Sequence, residues 1–319
     1  MLVLNEVETR KALAFDGLID ALAKMFASEC VAPPRHHHDV AVPGEADATL
    51  LLMPAWLPGR YVGLKMVSVF PGNGARGLPS IYGSYLLSSG VTGELLAVID
   101  GGELTARRTA AASALASRYL SRSDASTLLV CGTGRLSANL IEAHRTVRPI
   151  KHVLVWGRDA EKARPIALRA EALGLKADVV TDLAEAAGRA DIISCATLSS
   201  KPLIHGAWLR PGTHLDLIGA YKPTMRESDD DAVQRSDIFV DTRAGALSEA
   251  GDLLQPMAAG IIGAVDIRAD LADLVSGRHP GRSSPDTMTL FKSVGASLED
   301  LAGAIFALES HSLQPDGEG

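Results

Sequence analysis

Gly132, Gly134 and Ser137 form a Gly-x-Gly-x-x-Ser run. It follows the apolar stretch STLLVCG and opens the helical stretch LSANLIEAHRTV. In that setting Gly132 makes the tight turn. Gly134 lets the backbone approach a pyrophosphate seated on the helix N-terminus, and a small third residue packs helix on strand. The run therefore predicts dinucleotide binding; a plain strand–helix turn is the alternative. The next apolar stretch ends VLVWGRD, with Gly157 where NAD-selective sites carry an acid and Arg158 after it. A guanidinium binds a 2′-phosphate that a carboxylate would repel, which favours NADP(H), with NAD(H) the second choice. The competing reading of Arg158 is a solvated side chain paired with Asp159 or Glu161.

Cations stand in unexpected places. Lys65 lies inside the strand-like YVGLKMVSVF, on a face with Tyr61, Gly63, Val67 and Val69. Arg107 and Arg108 follow Thr105, read as the N-cap of an alanine-rich helix; cations in a first turn oppose the helix dipole unless an anion binds there. Arg35 sits in the loop-like APPRHHHD. Singly each has a solvated reading; together they can bind a carboxylate. His36, His37 and His38 are adjacent and cannot easily converge on one metal ion, so no metal is expected. Cys30, Cys131 and Cys195 lack metal-ligand or CxxC spacing and read as buried, reduced thiols.

These groups need a frame. In residues 1–100 one amphipathic helix, TRKALAFDGLIDALAKMFAS, precedes short apolar runs separated by turns such as Pro71-Gly72-Asn73-Gly74, which predicts an antiparallel sheet. CVAPPRHHHDVAVPGEADA reads as loop. From about residue 104 strands and helices alternate, which predicts βαβ units and a parallel sheet. Asp216 is the one polar exception in the strand HLDLIGA. The tail HSLQPDGEG is expected to fray. The chain has 319 residues, 47% hydrophobic, and a net charge of −7, which argues against a nucleic-acid partner. No apolar run approaches the about 18–20 residues of a membrane span. The beginning MLVLNEVETRKAL has no basic leader or cleavage site, so a cytoplasmic protein is expected.

The blocks MPAW…GLKMVSVFPGN, GLPSIYGSYLL…TGELLAVIDGGELTARRTAAASALA, CGTGRLSANLIEA, KPLIHGAWLRPGTHLDLIGA and TLFKSVGASLEDLAGA extend the pattern. Through them the chain resembles the ornithine cyclodeaminase/mu-crystallin family essentially end to end. The resemblance implies an α/β protein and a homodimer. Residues 1–118 and 297–319 would form an α+β substrate and dimerisation domain, and 119–296 a Rossmann-type domain. It implies that Arg35, Lys65 and Arg108 grip a substrate carboxylate, and that Ser80 and Arg108 also reach the cofactor. Gly132, Gly134, Arg135 and Leu136 would form the phosphate loop and Arg158 the adenosine end. Thr197 and Gly219 would lie near the nicotinamide, and Val294 would wall the substrate pocket.

The family spans cyclodeaminases, an alanine dehydrogenase, cyclic ketimine reductases and a ligand-binding crystallin. In its cyclodeaminases and its alanine dehydrogenase the strand leads to an Asp that moves protons. Here Gly219-Ala220 lead to Tyr221, and Met225 takes the place of that motif's Lys. The GAYKPTMRE pattern is more like the bacterial pyrroline-2-carboxylate and piperideine-2-carboxylate reductases. The expected activity is NADPH-dependent reduction of a cyclic imino acid, with Lys65, Arg108 and Tyr221 as candidate catalytic residues. Ornithine cyclisation, amino-acid dehydrogenation and NADPH binding without turnover are the alternatives.

Overall fold

The structure, a computed structural model, describes residues 1–312. Of the tail expected to fray, residues 313–319 lie outside the described residues. The chain divides into two compact units. One is Met1–Arg108 together with the chain from Ala296 onward; the other is Thr109–Gly295. The division falls inside a long helix, earlier than the 118/119 boundary expected where that helical pattern ends.

The first unit opens with β1 (Leu2–Leu4), α1 (Glu6–Ala12) and α2 (Phe15–Phe26). Asn5 caps α1 by accepting from the Val7 and Glu8 N–H groups. In α2, Phe15, Leu18, Ile19, Leu22, Met25 and Phe26 make one buried stripe, each worth about 1.5–3 kcal/mol of burial. Then follow β2 (His36–Val40), β3 (Ala48–Leu57), β4 (Tyr61–Val69), β5 (Ile81–Ser89) and β6 (Leu95–Asp100), in the sheet order β1-β6-β5-β4-β3-β2. The β2–β6 ladder is antiparallel, while β1 adds in parallel beside β6.

Two expectations are corrected here. His36–Val40 is a strand, not loop. As an edge strand exposed throughout, it carries no apolar alternation to betray it. Its histidines point to alternate sides. Secondly, α3 runs Gly101–Leu120, so Thr105 is not an N-cap and Arg107 and Arg108 are not in the first turn. Asp100 Oδ1 accepts from the Glu103 N–H at 2.6 Å and starts the helix five residues earlier, through glycines that read as a turn.

The second unit carries an eight-stranded, wholly parallel sheet. Its elements are β7 (Thr127–Cys131), α4 (Arg135–Val147), β8 (His152–Trp156), α5 (Ala160–Ala172), β9 (Lys176–Val180), α6 (Leu183–Arg189), β10 (Ile192–Cys195) and β11 (His214–Leu217). Next come α7 (Asp230–Gln234), β12 (Asp237–Val240), α8 (Arg243–Glu249), α9 (Gly251–Ala258), β13 (Ile267–Asp270), α10 (Leu271–Val275) and β14 (Thr289–Lys292). The last helix, α11 (Ser297–Ser312), returns to the first unit, where it packs on α2.

The order β13-β12-β14-β11-β10-β7-β8-β9 reverses direction between β7 and β10. Ligands of open α/β sheets bind beyond the strand carboxyl ends at such a switch. Leu129, Ile193, Leu215 and Leu290 line one core of this sheet; Leu128, Val130, Val153 and Ile192 line the other. Asp216 is buried and accepts from the Ser113 and Ser194 hydroxyls, with His144 Nε2 at 3.4 Å. That polar exception is satisfied inside the protein. Among the described residues no helix is long and apolar enough to cross a membrane.

Candidate active site

Within the first unit the structure brings Lys65 and Arg108 onto one carboxylate. Lys65 Nζ lies 2.7 Å from Asp300 Oδ2 and 3.4 Å from the Thr105 hydroxyl. Arg108 Nε donates to Asp300 Oδ1 at 2.8 Å, and Nη1 to Glu299 Oε2 at 2.5 Å. The four charged side chains are buried. Lys65 therefore does not depend on a substrate for its counter-charge: Asp300, from α11, supplies it. Burial pulls the Lys65 ammonium down to about 8, Asp300 opposing and Arg108 assisting. Burial would also lower Arg108, but Asp300 and Glu299 outweigh it and hold the guanidinium charged. Burial would raise the Asp300 carboxyl; Arg108 and Lys65 reverse this and keep it ionised.

Arg107 belongs elsewhere. Its Nη2 donates to the Leu13 carbonyl at 2.7 Å and its guanidinium stacks 3.8 Å over the Phe15 ring. It staples α3 to the start of α2. Arg35 is half-buried and immediately precedes β2. Continuing the β2–β3 register by one residue sets it level with Met53, the residue opposite Lys65. That is two strands away, about 10 Å, on the same face. Ser80 is exposed just ahead of β5, its carbonyl accepting the Phe70 N–H at 2.8 Å.

Within the second unit the other expected residues gather at the carboxyl edge of the parallel sheet. Gly132 has φ +126°, and a Cβ there would stand 2.8 Å from the Ala196 carbonyl oxygen, so only glycine fits. At Gly134 a Cβ would meet nothing within 4 Å, and no side chain caps α4. Open space thus lies before the α4 N-terminus, with exposed Arg135 and half-buried Leu136 in its first turn. Ser137 is buried and donates to the Gly132 carbonyl at 2.9 Å, locking the turn. These residues fit a dinucleotide's phosphates.

Gly157 follows β8, and a Cβ there would lie 2.5 Å from the Thr133 methyl, so any side chain at this position requires Thr133 to move. Arg158 is exposed. Neither neighbour takes it: Asp159 caps α5 and approaches Lys162, and Glu161 pairs with Arg164.

Thr197 follows β10 and Gly219 follows β11. Thr197 gives its N–H and its hydroxyl to Glu227 Oε1, at 2.6 and 2.7 Å. A Cβ on Gly219 would stand 2.0 Å from the Thr197 carbonyl oxygen. Tyr221, 39% exposed, begins the turn that α9 anchors, where Gln255 Nε2 donates to the Pro223 carbonyl at 2.8 Å. Val294, beyond β14, is fixed by donating its N–H to Asp241 Oδ2 at 2.8 Å.

The sequence reading missed Glu299 and Asp300, and also Glu227, Asp252 and Lys292. Each is an ionisable residue with no exposure. The signal was present: a lysine inside the strand TLFKSV and two acids inside the apolar helix ASLEDLAGAIF. Among the described residues no cluster of three or more His, Cys, Asp or Glu is arranged to hold a metal ion.

Known proteins share this fold. The chain is 41% identical over 261 residues to the Δ1-pyrroline-2-carboxylate reductase of Paracoccus denitrificans, covering 81% of this chain and 82% of the relative. The Thermococcus litoralis Δ1-pyrroline-2-carboxylate reductase, solved with NADH and L-proline, superposes with TM-score 0.90 at 33% identity over 98% of both chains. An archaeal alanine dehydrogenase dimer with bound NAD gives TM-score 0.88 at 30% identity, over 98% of this chain and 96% of that one. The sequence pattern of one family matches residues 1–313: the chain belongs to the ornithine cyclodeaminase/mu-crystallin family.

Proposed function

We propose that this protein is an oxidoreductase that reduces the C=N bond of a small cyclic imino acid. Pyrroline-2-carboxylate would give L-proline and piperideine-2-carboxylate L-pipecolate. The cofactor is a nicotinamide dinucleotide, NADPH in preference to NADH; when bound, it supplies the hydride that adds to C2. The first unit supplies the grip on the anionic substrate. Lys65 and Arg108 are pre-oriented by Asp300 and Glu299, so binding a carboxylate need not order two long side chains. Fixing that carboxylate fixes C2 beside it. A protonated ring nitrogen makes C2 electrophilic, and Lys65, brought down to about 8, is suited to give or take that proton near neutral pH.

The observation that carries this reading is the segment after β11. From Gly219 to Glu227 it holds one acid, Glu227, which is buried and turned onto Thr197, Gly219 and Ala220. Deamination needs a base to remove and return protons. Tyr221 stands where the family's cyclodeaminases place that acid. Imine reduction has no such need.

A homodimer in the cytoplasm accompanies this reading. On the outward face of the first unit's sheet β3 and β4 are largely apolar, with Met66 and Val62 exposed on β4. An apolar patch of this kind fits a second copy of the chain.

The test is NADPH oxidation with pyrroline-2-carboxylate and with piperideine-2-carboxylate. Turnover with at least one ring is expected. No turnover with either, together with ammonia release from ornithine, would overturn the reading in favour of cyclodeamination.

A further inference from the structure

Glu227 ties two strand ends together. Its Oε1 accepts the Thr197 N–H and hydroxyl, at 2.6 and 2.7 Å, beyond β10. Its Oε2 accepts the Gly219 and Ala220 N–H groups, at 2.8 and 3.3 Å, beyond β11. Glu227 is itself held from behind. Asp252 Oδ1 accepts the Glu227 and Ser228 N–H groups at 2.7 and 3.1 Å, and Asp252 Oδ2 lies 3.0 Å from Lys292 Nζ. None of the three ionisable side chains is exposed. Burying such groups costs several kcal/mol each unless geometry repays it. Four donors arriving from two loops require an acceptor with two charged oxygens. A carboxamide offers one oxygen, and its NH2 would face two N–H groups.

We infer that Glu227 is a positioning residue for the nicotinamide half of the cofactor, joining the ends of β10 and β11 into one platform separate from the phosphate loop after β7. This rests on the dinucleotide reading above. The Thr197 hydroxyl gives its proton to Glu227 and accepts the Ser199 N–H at 3.4 Å, which leaves one lone pair to accept from a carboxamide. Gly219 permits the close approach that makes the platform continuous.

Binding, not turnover, tests this. NADH and NADPH are titrated by fluorescence, and ADP-ribose and 2′-phospho-ADP-ribose, which lack the ring, by calorimetry. Glu227→Gln should weaken the tighter-binding dinucleotide at least about tenfold and leave its ring-less counterpart within about twofold. Equal weakening of both, or no change in either, overturns the assignment.

If the variant does not fold, the wild-type protein decides. Burial pushes the Glu227 carboxyl up to about 7, with Lys292 of β14 opposing and Asp252 of α9 assisting; Cys195 of β10 also faces it. Lowering the pH from about 8 to about 6 should then weaken the dinucleotide more than its ring-less counterpart. A ratio that stays flat overturns the proposal. These readouts stand even if neither imino acid is a substrate.

Discussion

Lys65 Nζ and Asp300 Oδ2 face each other at 2.7 Å, and both side chains are buried. Because burial brings the ammonium down to about 8, the site holds its charge below that pH and loses it above. If that charge grips the substrate carboxylate, kcat/KM for the imino acid should fall as pH rises through about 8. In Lys65→Arg, which stays charged, the fall should move to higher pH; a fall left in place would assign the titration to another group. Unfolding would not mimic it. The folded pKa lies below the ordinary value of 10.5, so between the two the folded state binds fewer protons than the unfolded chain. The contribution of Lys65 to stability therefore rises with pH across that window.

Asp300→Asn removes the carboxylate that both cations share. An unpaired buried charge costs about 3–5 kcal/mol, so chemical denaturation should show a loss of that order. Without Asp300 to oppose burial, Lys65 should deprotonate at lower pH, and the fall in kcat/KM should move below about 8. A variant with wild-type stability and an unmoved profile would mean that the ion pair governs neither property.

Arg158→Ala tests cofactor choice. The neighbouring acids are engaged elsewhere, and the exposed guanidinium is available to a 2′-phosphate. The ratio of kcat/KM for NADPH to that for NADH should fall at least about tenfold, chiefly through a higher KM for NADPH. An unchanged ratio would remove Arg158 from this role. Introducing Asp at 157 should not by itself produce an NADH enzyme, because its Cβ would first have to displace Thr133.

The parallel sheet was legible because its central strands are buried on both faces and read as apolar runs between helical stretches. The phosphate loop was legible because glycine spacing reports backbone conformation directly. β2 was hidden because an edge strand exposed on both sides has no period to detect. The start of α3 was hidden because Gly101-Gly102 reads as a turn, although Asp100 caps a helix there. Lys65 and Arg108 stood out as cations in the wrong place. Their partners did not, because Glu299 and Asp300 lie 191 and 192 residues from Arg108 and meet it only through tertiary packing. Glu227 was overlooked for a similar reason: what distinguishes it is a pair of strand ends, not its neighbours in sequence.

Met66→Asp tests the outward sheet face. Met66 stands opposite Leu52 on β3, and Leu64 opposite Pro54. With Met66 42% exposed in a single chain, a carboxylate there should be tolerated by the monomer yet disfavoured between two apolar faces. Light scattering should report a dimer for the wild type and a shift to monomer for the variant, with little change in thermal stability at low concentration. A dimer that survives the substitution would place the interface elsewhere.

Tyr221→Phe separates the two roles left open at the end of β11. The ring begins an exposed turn held by Gln255, and Lys222 Nζ lies 5.7 Å from its centroid. Among the described residues no buried group fixes the orientation of that hydroxyl, whereas Lys65 is held by Asp300 and Thr105. Removing its oxygen should therefore leave kcat within about threefold of wild type, while Lys65→Ala should lower it by about a hundredfold or more. If Tyr221→Phe collapses turnover and leaves dinucleotide affinity intact, the hydroxyl is the proton donor, and Lys65 acts through its charge alone.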